Sequence, residues 1–150
     1  MEEIVWHCKE FHSLSTSELY GLLRLRSEVF HVEQNCAYND LDNRDQDSFH
    51  VFCLDKSGAM IAYARILPAG VSFREVSIGR VVTSGSARGE GLGKELMDQC
   101  MKNILSHFGK VPVRIGAQCY LKKFYEEFGF EVDSVEYMED NIPHIEMLHP

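Results

Sequence analysis

A glycine-rich turn between an apolar stretch and a helical pattern is the feature of this sequence that most constrains its fold. The segment spans residues 78–94 and contains three glycines at alternate positions, Gly89, Gly91 and Gly93. Glycine lets the backbone come close to a ligand because it carries no side chain. The first amide groups of the following helix have no partner within the helix, and the helix dipole favours negative charge there. The segment therefore predicts a site for a phosphate or diphosphate, flanked by the positive charges of Arg88 and Lys94.

Two common phosphate-binding loops do not fit this segment. A nucleoside-triphosphatase loop ends in Gly-Lys followed by Ser or Thr, whose hydroxyl group binds magnesium. Here Gly93-Lys94 is followed by Glu95, so such an enzyme is not expected. A dinucleotide-binding turn needs its third glycine at position 94 and follows the first strand, whereas this turn lies in the middle of the chain. Another phosphate-bearing ligand and an ordinary glycine turn are the interpretations left open.

Length and composition limit the classes of protein to consider. A chain of 150 residues without repeats or linkers predicts one domain over residues 1–150. No apolar run approaches the roughly 20 residues of a membrane span, and the acidic N-terminus does not resemble a signal peptide. Five cysteines without Cys-x-x-Cys spacing favour free thiols in a reducing cytoplasm. A net charge of −8 disfavours nucleic acid as a partner and is compatible with a cationic amine.

Hydrophobic periodicity and turn residues predict an ordered series of helices and strands. Ser15 and Glu18 have the spacing of a capping box, which predicts a helix over residues 16–32. An extended segment near Trp6 precedes this helix, and a polar loop over residues 34–48 follows it. Further strands are predicted at 49–54, 60–67, 75–83, 111–117, 130–137 and 142–148, and further helices at 92–108 and 120–128. The resulting β-α-β unit indicates a parallel strand pair, so the predicted class is α/β or α+β with a mixed sheet.

The charged residues of the first helix and of the polar loop admit a structural interpretation. We expect the helix charges to form a solvated face with weak ion pairs; they are Arg24, Arg26, Glu28 and Glu33. The loop contains four aspartates, Asp40, Asp42, Asp45 and Asp47. A calcium loop starting at Asp40 would need glycine at its sixth position and glutamate at its twelfth, but these positions hold Asp45 and Val51. No metal site is therefore expected.

Several short motifs resemble one known family. The turn reads Arg88-x-x-Gly91-x-Gly93 after an apolar strand, and this resembles the acetyl-CoA loop of the GNAT superfamily of N-acetyltransferases. Motifs that resemble the ElaA family within it are Val32-Glu33-Gln34-Asn35-Cys36, Ala62-Tyr63-Ala64-Arg65, Phe124-Tyr125-Glu126, Phe128-Gly129-Phe130 and Glu139-Asp140-Asn141-Ile142-Pro143-His144-Ile145. The similarity extends over nearly the whole chain from Trp6 onward. It departs at Asn141, where the family usually has glycine, and at His31, where an aliphatic residue is common.

The resemblance implies a fold and a set of site residues. The fold would be a mixed, mostly antiparallel central sheet flanked by helices, with a β-α-β core that binds acetyl-CoA as co-substrate. The pantetheine arm would lie along Val81, Val82 and Thr83, and Gln118 would bind pantetheine or the substrate carbonyl group. The diphosphate would bind the amides of Arg88, Gly89, Glu90, Gly91, Leu92, Gly93 and Lys94. Tyr125 would be the acid that faces the sulfur atom, with an ordinary buried aromatic residue as the alternative.

The function implied by the resemblance is acetyl transfer from acetyl-CoA to a primary amine of a small molecule or a protein, by direct attack in a ternary complex. The candidates for the base are Glu33, His144 and His50. Arg24, Arg26, Arg65 and Arg80 could bind a substrate carboxylate or pair with acidic residues; if two of them converge on the open cleft, an amino-acid-like acceptor becomes more attractive than a polyamine. The alternatives are a non-catalytic acyl-CoA-binding module and, from the spacing of Arg26 and Phe30 alone, an acyl-homoserine-lactone-type synthase. The last strand could pair across a homodimer.

Overall fold

The computed structural model of this protein describes residues 4–35, 38–89 and 91–150. Two predicted site or motif residues, Cys36 and Glu90, lie outside the described residues. The strands are β1 (Trp6–Glu10), β2 (Phe49–Leu54), β3 (Met60–Leu67), β4 (Val76–Thr83), β5 (Val113–Gln118), β6 (Glu131–Val132), β7 (Tyr137–Glu139) and β8 (Ile142–His149). The α-helices are α1 (Thr16–Arg26), α2 (Leu92–Phe108) and α3 (Lys122–Glu126).

The strands form one mixed sheet that opens at its centre. Its order is β1-β2-β3-β4-β5-β8-β6, with β7 also paired to β8. Every pair within the described chain is antiparallel except β4 and β5, which are parallel. The parallel pairing is limited to Val76 opposite Val113 and Ser77 opposite Arg114. Beyond these residues β4 and β5 diverge, and a cleft opens between them. The predicted class, a mixed and mostly antiparallel sheet with flanking helices, is confirmed.

The first helix begins where the capping box predicts. The Ser15 hydroxyl oxygen accepts from the Glu18 amide at 3.0 Å, and the Glu18 carboxylate accepts from the Ser15 amide at 2.8 Å. The reciprocal bonds satisfy two amides that have no partner within the helix. After α1 the chain stays helical over Ser27–Glu33, but with π-helical hydrogen bonding. The predicted extent of 16–32 is therefore nearly correct, whereas the change of helix type was not predicted.

The two faces of the sheet carry different layers. On one face, α2 packs against alternate strand residues such as Ala64, Ile78 and Ile115. On the other face, α1 packs against Phe52, Tyr63 and Val82, which are neighbours across β2, β3 and β4; its own buried residues include Leu22 and Leu25. Full burial of each such aliphatic or aromatic side chain contributes about 1.5–3 kcal/mol. The α1 layer covers only β2 to β4 and leaves the face of β5 and β8 open.

The predicted strand over residues 130–137 is wrong. The structure has two short strands there, β6 and β7, because residues 133 and 134 leave the ladder. The Asp133 amide donates to the Glu146 carbonyl oxygen at 2.9 Å, and the Ser134 hydroxyl oxygen accepts from the Glu146 amide at 2.8 Å. Val135, which suggested a continuous apolar pattern, is 83% exposed. The predicted helix over 120–128 is also shorter, since a 3₁₀ turn at Cys119–Leu121 precedes α3.

The turn between β7 and β8 explains the departure at position 141. Asp140 and Asn141 have φ values of 51° and 62°, the left-handed conformation that a two-residue hairpin turn requires. Asparagine tolerates this conformation better than most other residues with a side chain. The hairpin therefore forms without glycine and places Glu139 and His144 beside the open face of the sheet.

Candidate active site

The glycine loop ends at an uncapped helix N-terminus. Gly89 and Gly91 have φ values of 89° and 73°, which favour glycine. Gly91 is the N-cap of the 17-residue α2, and no side chain of the described residues caps the first turn. A Cβ atom on Gly93 would lie 3.5 Å from the Phe124 ring, an ordinary van der Waals distance, so the first turn of α2 packs against α3 at this position. The first amides of α2 are therefore free to bind an anion at the positive end of the helix dipole.

The two cations of the loop are exposed and paired with carboxylates. The Arg88 guanidinium group lies 2.6 Å from Glu33 and donates to the Thr83 carbonyl oxygen at 3.1 Å. Lys94 lies 3.2 Å from Glu127. Surface pairs of this kind contribute little to stability, so both cations can exchange their partners for a ligand. Glu33, one candidate base, consequently lies at the loop.

The end of β4 contains a bulge that turns its side chains. Tyr63 pairs with Val82 and Arg65 with Gly79, so two residues of β4 stand opposite one residue of β3. Arg80 in the bulge has a φ of 52°, a rare value for a residue with a side chain. Val81 lines the cleft, whereas Val82 is buried against α1. No strand of the described chain pairs with this end of β4 on the side facing β5, so its backbone groups there are available to an extended ligand.

The cleft between β4 and β5 has a volume of about 340 Å³. Tyr125 of α3 lines it and is 6% exposed, with its ring in edge contact with Phe124 and Phe130. Burial raises the pKa of the Tyr125 phenol above its usual value, so the phenol holds its proton at neutral pH. The structure thus brings a protonated donor to the gap, and the adjacent Phe124 lies against Gly93 of the glycine loop.

Gln118 and His144 face each other across β5 and β8 in the cleft wall. Gln118 donates to the Gln34 side-chain oxygen at 3.4 Å. The His144 Nδ1–H donates to the Ile142 carbonyl oxygen at 2.7 Å, because a carbonyl group can only accept. His144 Nε2 points to the Glu139 carboxylate at 3.4 Å. A histidine with its Nδ1–H fixed in this way can take up a proton at Nε2.

His50 does not share this environment. It is fully buried in β2, where its Nε2–H donates to the Asp45 carbonyl oxygen at 2.9 Å. Its Nδ1 then accepts from the Tyr63 hydroxyl group at 2.6 Å. Burial lowers the pKa of His50 and keeps the ring neutral. Both ring nitrogens are engaged, so His50 has no nitrogen left for a substrate.

The prediction that Arg26 lies on a solvated helix face is wrong. Arg26 is fully buried, and its guanidinium group donates to the carboxylates of Asp40 and Asp45, both at 2.8 Å, and to the Asp40 carbonyl oxygen at 3.0 Å. The signal in the sequence was that Arg26 is the one polar residue on an apolar helix face. For Arg24 and Glu28 the prediction is confirmed, because they form an exposed pair at 2.9 Å.

Arg26 belongs to a larger ion-pair network that sequence reasoning missed. Arg65 donates to Asp42 at 2.8 Å and to Asp45 at 3.0 Å, and Arg80 donates to Asp40 at 2.7 Å. Burial alone would raise the pKa of Asp42, but hydrogen bonds from Arg65 outweigh it and hold that pKa well below its usual range. Hydrogen bonds from Arg26 lower the pKa of Asp45 against its burial in the same way. The network fixes the loop over residues 38–48 above the sheet.

No group of three or more His, Cys, Asp or Glu side chains among the described residues is arranged to hold a metal ion. No helix in the same residues has the length and apolar character needed to cross a membrane.

Comparison with known proteins identifies the family. Residues 13–149 match the family model of the acetyltransferase (GNAT) domain. The chain is 43% identical over 146 residues to Protein ElaA of Escherichia coli strain K12, covering 96% of this chain and 95% of that protein. The crystal structure of an acyl-CoA N-acyltransferase from Pseudomonas aeruginosa matches with a TM-score of 0.94 and 39% identity, over 99% of this chain and all of that one (100%).

Two further structures extend the comparison. The crystal structure of Escherichia coli ElaA matches with a TM-score of 0.92 and 41% identity, over 99% of this chain and 100% of that chain. A CoA-dependent acyl-homoserine lactone synthase, BjaI, matches with a TM-score of 0.80 over 97% of this chain and 82% of that chain, but at 16% identity it shares the fold alone. The family match and the shared fold support an acyl-CoA-dependent acyltransferase, and the chain belongs to the ElaA family of GNAT acetyltransferases.

Proposed function

We propose that this protein transfers an acetyl group from acetyl-CoA to a primary amine of a small molecule or a protein, by direct attack in a ternary complex. One observation carries the proposal: the uncapped first turn of α2 lies at Gly93 against Phe124 of α3, and the next residue, the buried and protonated Tyr125, lines the gap between β4 and β5. An anion held at the helix end and a thioester placed beside Tyr125 are the two requirements of this chemistry.

The cofactor would be held mainly by backbone groups. The amides of the glycine loop and of the first turn of α2 would bind the diphosphate, and Arg88 and Lys94 would exchange their carboxylate partners for it. The free edge of β4 at Val81 and Thr83 would bind the pantetheine amides as a further strand would. Gln118 lies in the opposite wall and offers an amide group to the arm or to the acetyl carbonyl oxygen.

The transfer itself needs three proton movements. The neutral amine nitrogen attacks the acetyl carbon, a carbon–nitrogen bond forms, the carbon–sulfur bond breaks, and the nitrogen releases its surplus proton to solvent. The departing thiolate takes the proton of the Tyr125 phenol, which regains one from solvent. A free alkylamine has a pKa of about 10.4 and is protonated at neutral pH, so a base must remove the extra proton before the nitrogen can attack.

His144 is our choice of base, and Glu33 is the second candidate. His144 lines the cleft, its Nδ1–H is fixed by the Ile142 carbonyl oxygen, and its Nε2 can accept a proton from the amine directly or through water. Glu33 lies at the glycine loop, where it is paired with Arg88. His144 is preferred because it lines the cleft that would hold the amine, whereas Glu33 is not among the described residues that line it.

The proposal is tested by thiol release from acetyl-CoA over a panel of polyamines, amino acids, aminoglycosides and peptides. We expect Tyr125→Phe to lower kcat about 100-fold, within the usual range for loss of a general acid, with an unchanged KM for acetyl-CoA. Tyr120→Phe is the matched control, because Tyr120 is 72% exposed and this variant loses an equivalent phenol group. Equal kcat values for the two variants would remove Tyr125 from the mechanism. Tight CoA binding without turnover of any amine would instead support a non-catalytic acyl-CoA-binding module.

A further inference from the structure

The cleft is lined by two kinds of charge at opposite sides. The loop over residues 38–48 and strands β3 and β4 bring Arg44, Arg65 and Arg80 to it. The β7–β8 hairpin brings Glu139 and Asp140 to it, next to His144. One side can therefore bind an anionic group and the other a cationic group, within one cavity.

The ion-pair network on the arginine side has one more guanidinium group than carboxylates among the described residues. Its ion pairs connect four guanidinium groups, those of Arg26, Arg44, Arg65 and Arg80, with three carboxylates, those of Asp40, Asp42 and Asp45. Arg44 is the weakly paired member: its guanidinium nitrogen lies 3.9 Å from Asp42, and its side chain is 46% exposed. The excess charge therefore lies on Arg44, where a ligand can reach it.

Two buried donors on the same side lack a partner. Arg65 Nε and the Ser77 hydroxyl group form no hydrogen bond with the described residues, although both residues line the cleft and are at most 3% exposed. They lie on one face of the sheet, since Arg65 pairs with Gly79 and Ser77 with Leu67. Gly79 between them has no side chain to cover either group. Buried donors normally have an acceptor, so this surface lacks one or more acceptor oxygens.

We infer that the acceptor substrate is an amino carboxylate, whose carboxylate group binds at Arg44, Ser77 and Arg65 while its amine lies toward His144, Glu139 and Tyr125. This inference rests on the proposed function and adds the class of acceptor to it. A carboxylate supplies the acceptor oxygens and the negative charge that the arginine side lacks. A polyamine would supply neither, and would place a second cation against Arg44.

The test compares amino acids with their carboxamides as acceptors, because the amide keeps the shape and the α-amine but removes the negative charge. We expect kcat/KM to be at least about tenfold higher for the acids, as for other charge-assisted bonds. Arg44→Gln should reduce this ratio toward one with an unchanged KM for acetyl-CoA, and Ser77→Ala should reduce it less. Arg74→Gln is the matched control, since Arg74 is exposed and lies outside the cleft lining; its ratio should equal that of the wild type.

Equal or better transfer to the carboxamides would overturn the inference and leave the acetyltransferase proposal intact. If no amine accepts an acetyl group, the proposed function fails, and calorimetric titration of the CoA-saturated protein still decides the carboxylate site. Preferential binding of the acids, lost in Arg44→Gln and kept in Arg74→Gln, would then support it. Absence of that preference would refute it.

Discussion

Replacing Arg26 by leucine tests whether the buried ion pairs hold the loop over residues 38–48 in place. The substitution removes three hydrogen bonds, two to carboxylates and one to a carbonyl oxygen. Removing one partner of a buried ion pair costs about 3–5 kcal/mol, because the other charge stays buried. Asp40 keeps Arg80 at 2.7 Å and Asp45 keeps Arg65 at 3.0 Å. We therefore expect the lower end of that range, about 3 kcal/mol.

Chemical and thermal unfolding measure this loss directly. For a chain of this size, 1 kcal/mol corresponds to about 2–4 °C in Tm, so Arg26→Leu should unfold about 6–12 °C below the wild type. Arg24→Leu is the matched control, because Arg24 lies two positions away on the same helix and its pair with Glu28 is exposed. Exposed pairs contribute about 0–1 kcal/mol, so this variant should unfold within about 4 °C of the wild type.

Equal stability of the two leucine variants would refute the reasoning, since both lose the same charge from the same helix. Arg26→Lys adds a second comparison. Lysine keeps the charge but cannot form the planar fork that serves two carboxylates. An intermediate loss of stability is therefore expected, and a loss equal to that of Arg26→Leu would mean that geometry, not charge, carries the whole effect.

Three further predictions concern pH, the cleft and the glycine loop. The pKa values of Asp42 and Asp45 in the folded state lie below the unfolded value of about 3.9. Their contribution to the free energy of unfolding is therefore present at neutral pH and is lost as the pH falls below about 4. Urea unfolding between pH 6 and 2 measures this loss, and a free energy of unfolding that does not change over this range would contradict it. Gly116 and Tyr137 both line the cleft, and a Cβ atom on Gly116 would lie 3.1 Å from the Tyr137 hydroxyl oxygen. Gly116→Ala should therefore displace Tyr137 within the cleft and raise the KM of the amine, but not that of acetyl-CoA, in steady-state assays. Gly91→Ala should weaken CoA binding in calorimetry, whereas Gly109→Ala, at a similar positive φ but at the opposite end of α2, should not. Equal CoA affinities of the two variants would contradict a role of the loop conformation in binding.

The bounds of helices and strands were predicted accurately where the signals that define them lie within the segment itself. Strands β2 and β3 and helix α2 have the predicted bounds. Their apolar periodicity is strong, and turn or stop residues such as Gly58 and Gly109 adopt the positive φ values that end an element. The predicted glycine loop also lies where the apolar pattern changes from strand to helix. In these segments the residues that decide the structure are neighbours in the sequence.

The strand over residues 130–137 failed for a different reason. The apolar residues there suggested one strand, but the main-chain groups of Glu146 pair with Asp133 and Ser134 in an irregular way. The break therefore depends on a partner more than ten positions away. A local pattern cannot report such a break, because Val135 has the same side chain whether it is buried or, as here, exposed.

The ion pairs of the candidate site could not be predicted from the sequence. Arg26 and the loop aspartates were assessed separately in the sequence, one as a surface charge and the others as calcium ligands that lack the required spacing. In the fold the two groups balance each other's charge. The aspartates neutralise Arg26 in the interior, and the arginines supply the positive charge that calcium would have supplied to the aspartates. Because these pairs connect the first helix, the loop, β3 and β4, no single segment reveals them. The inferred acceptor class depends on the excess positive charge at Arg44. This excess is seen only after the other arginines have been paired with aspartates that are distant in the sequence.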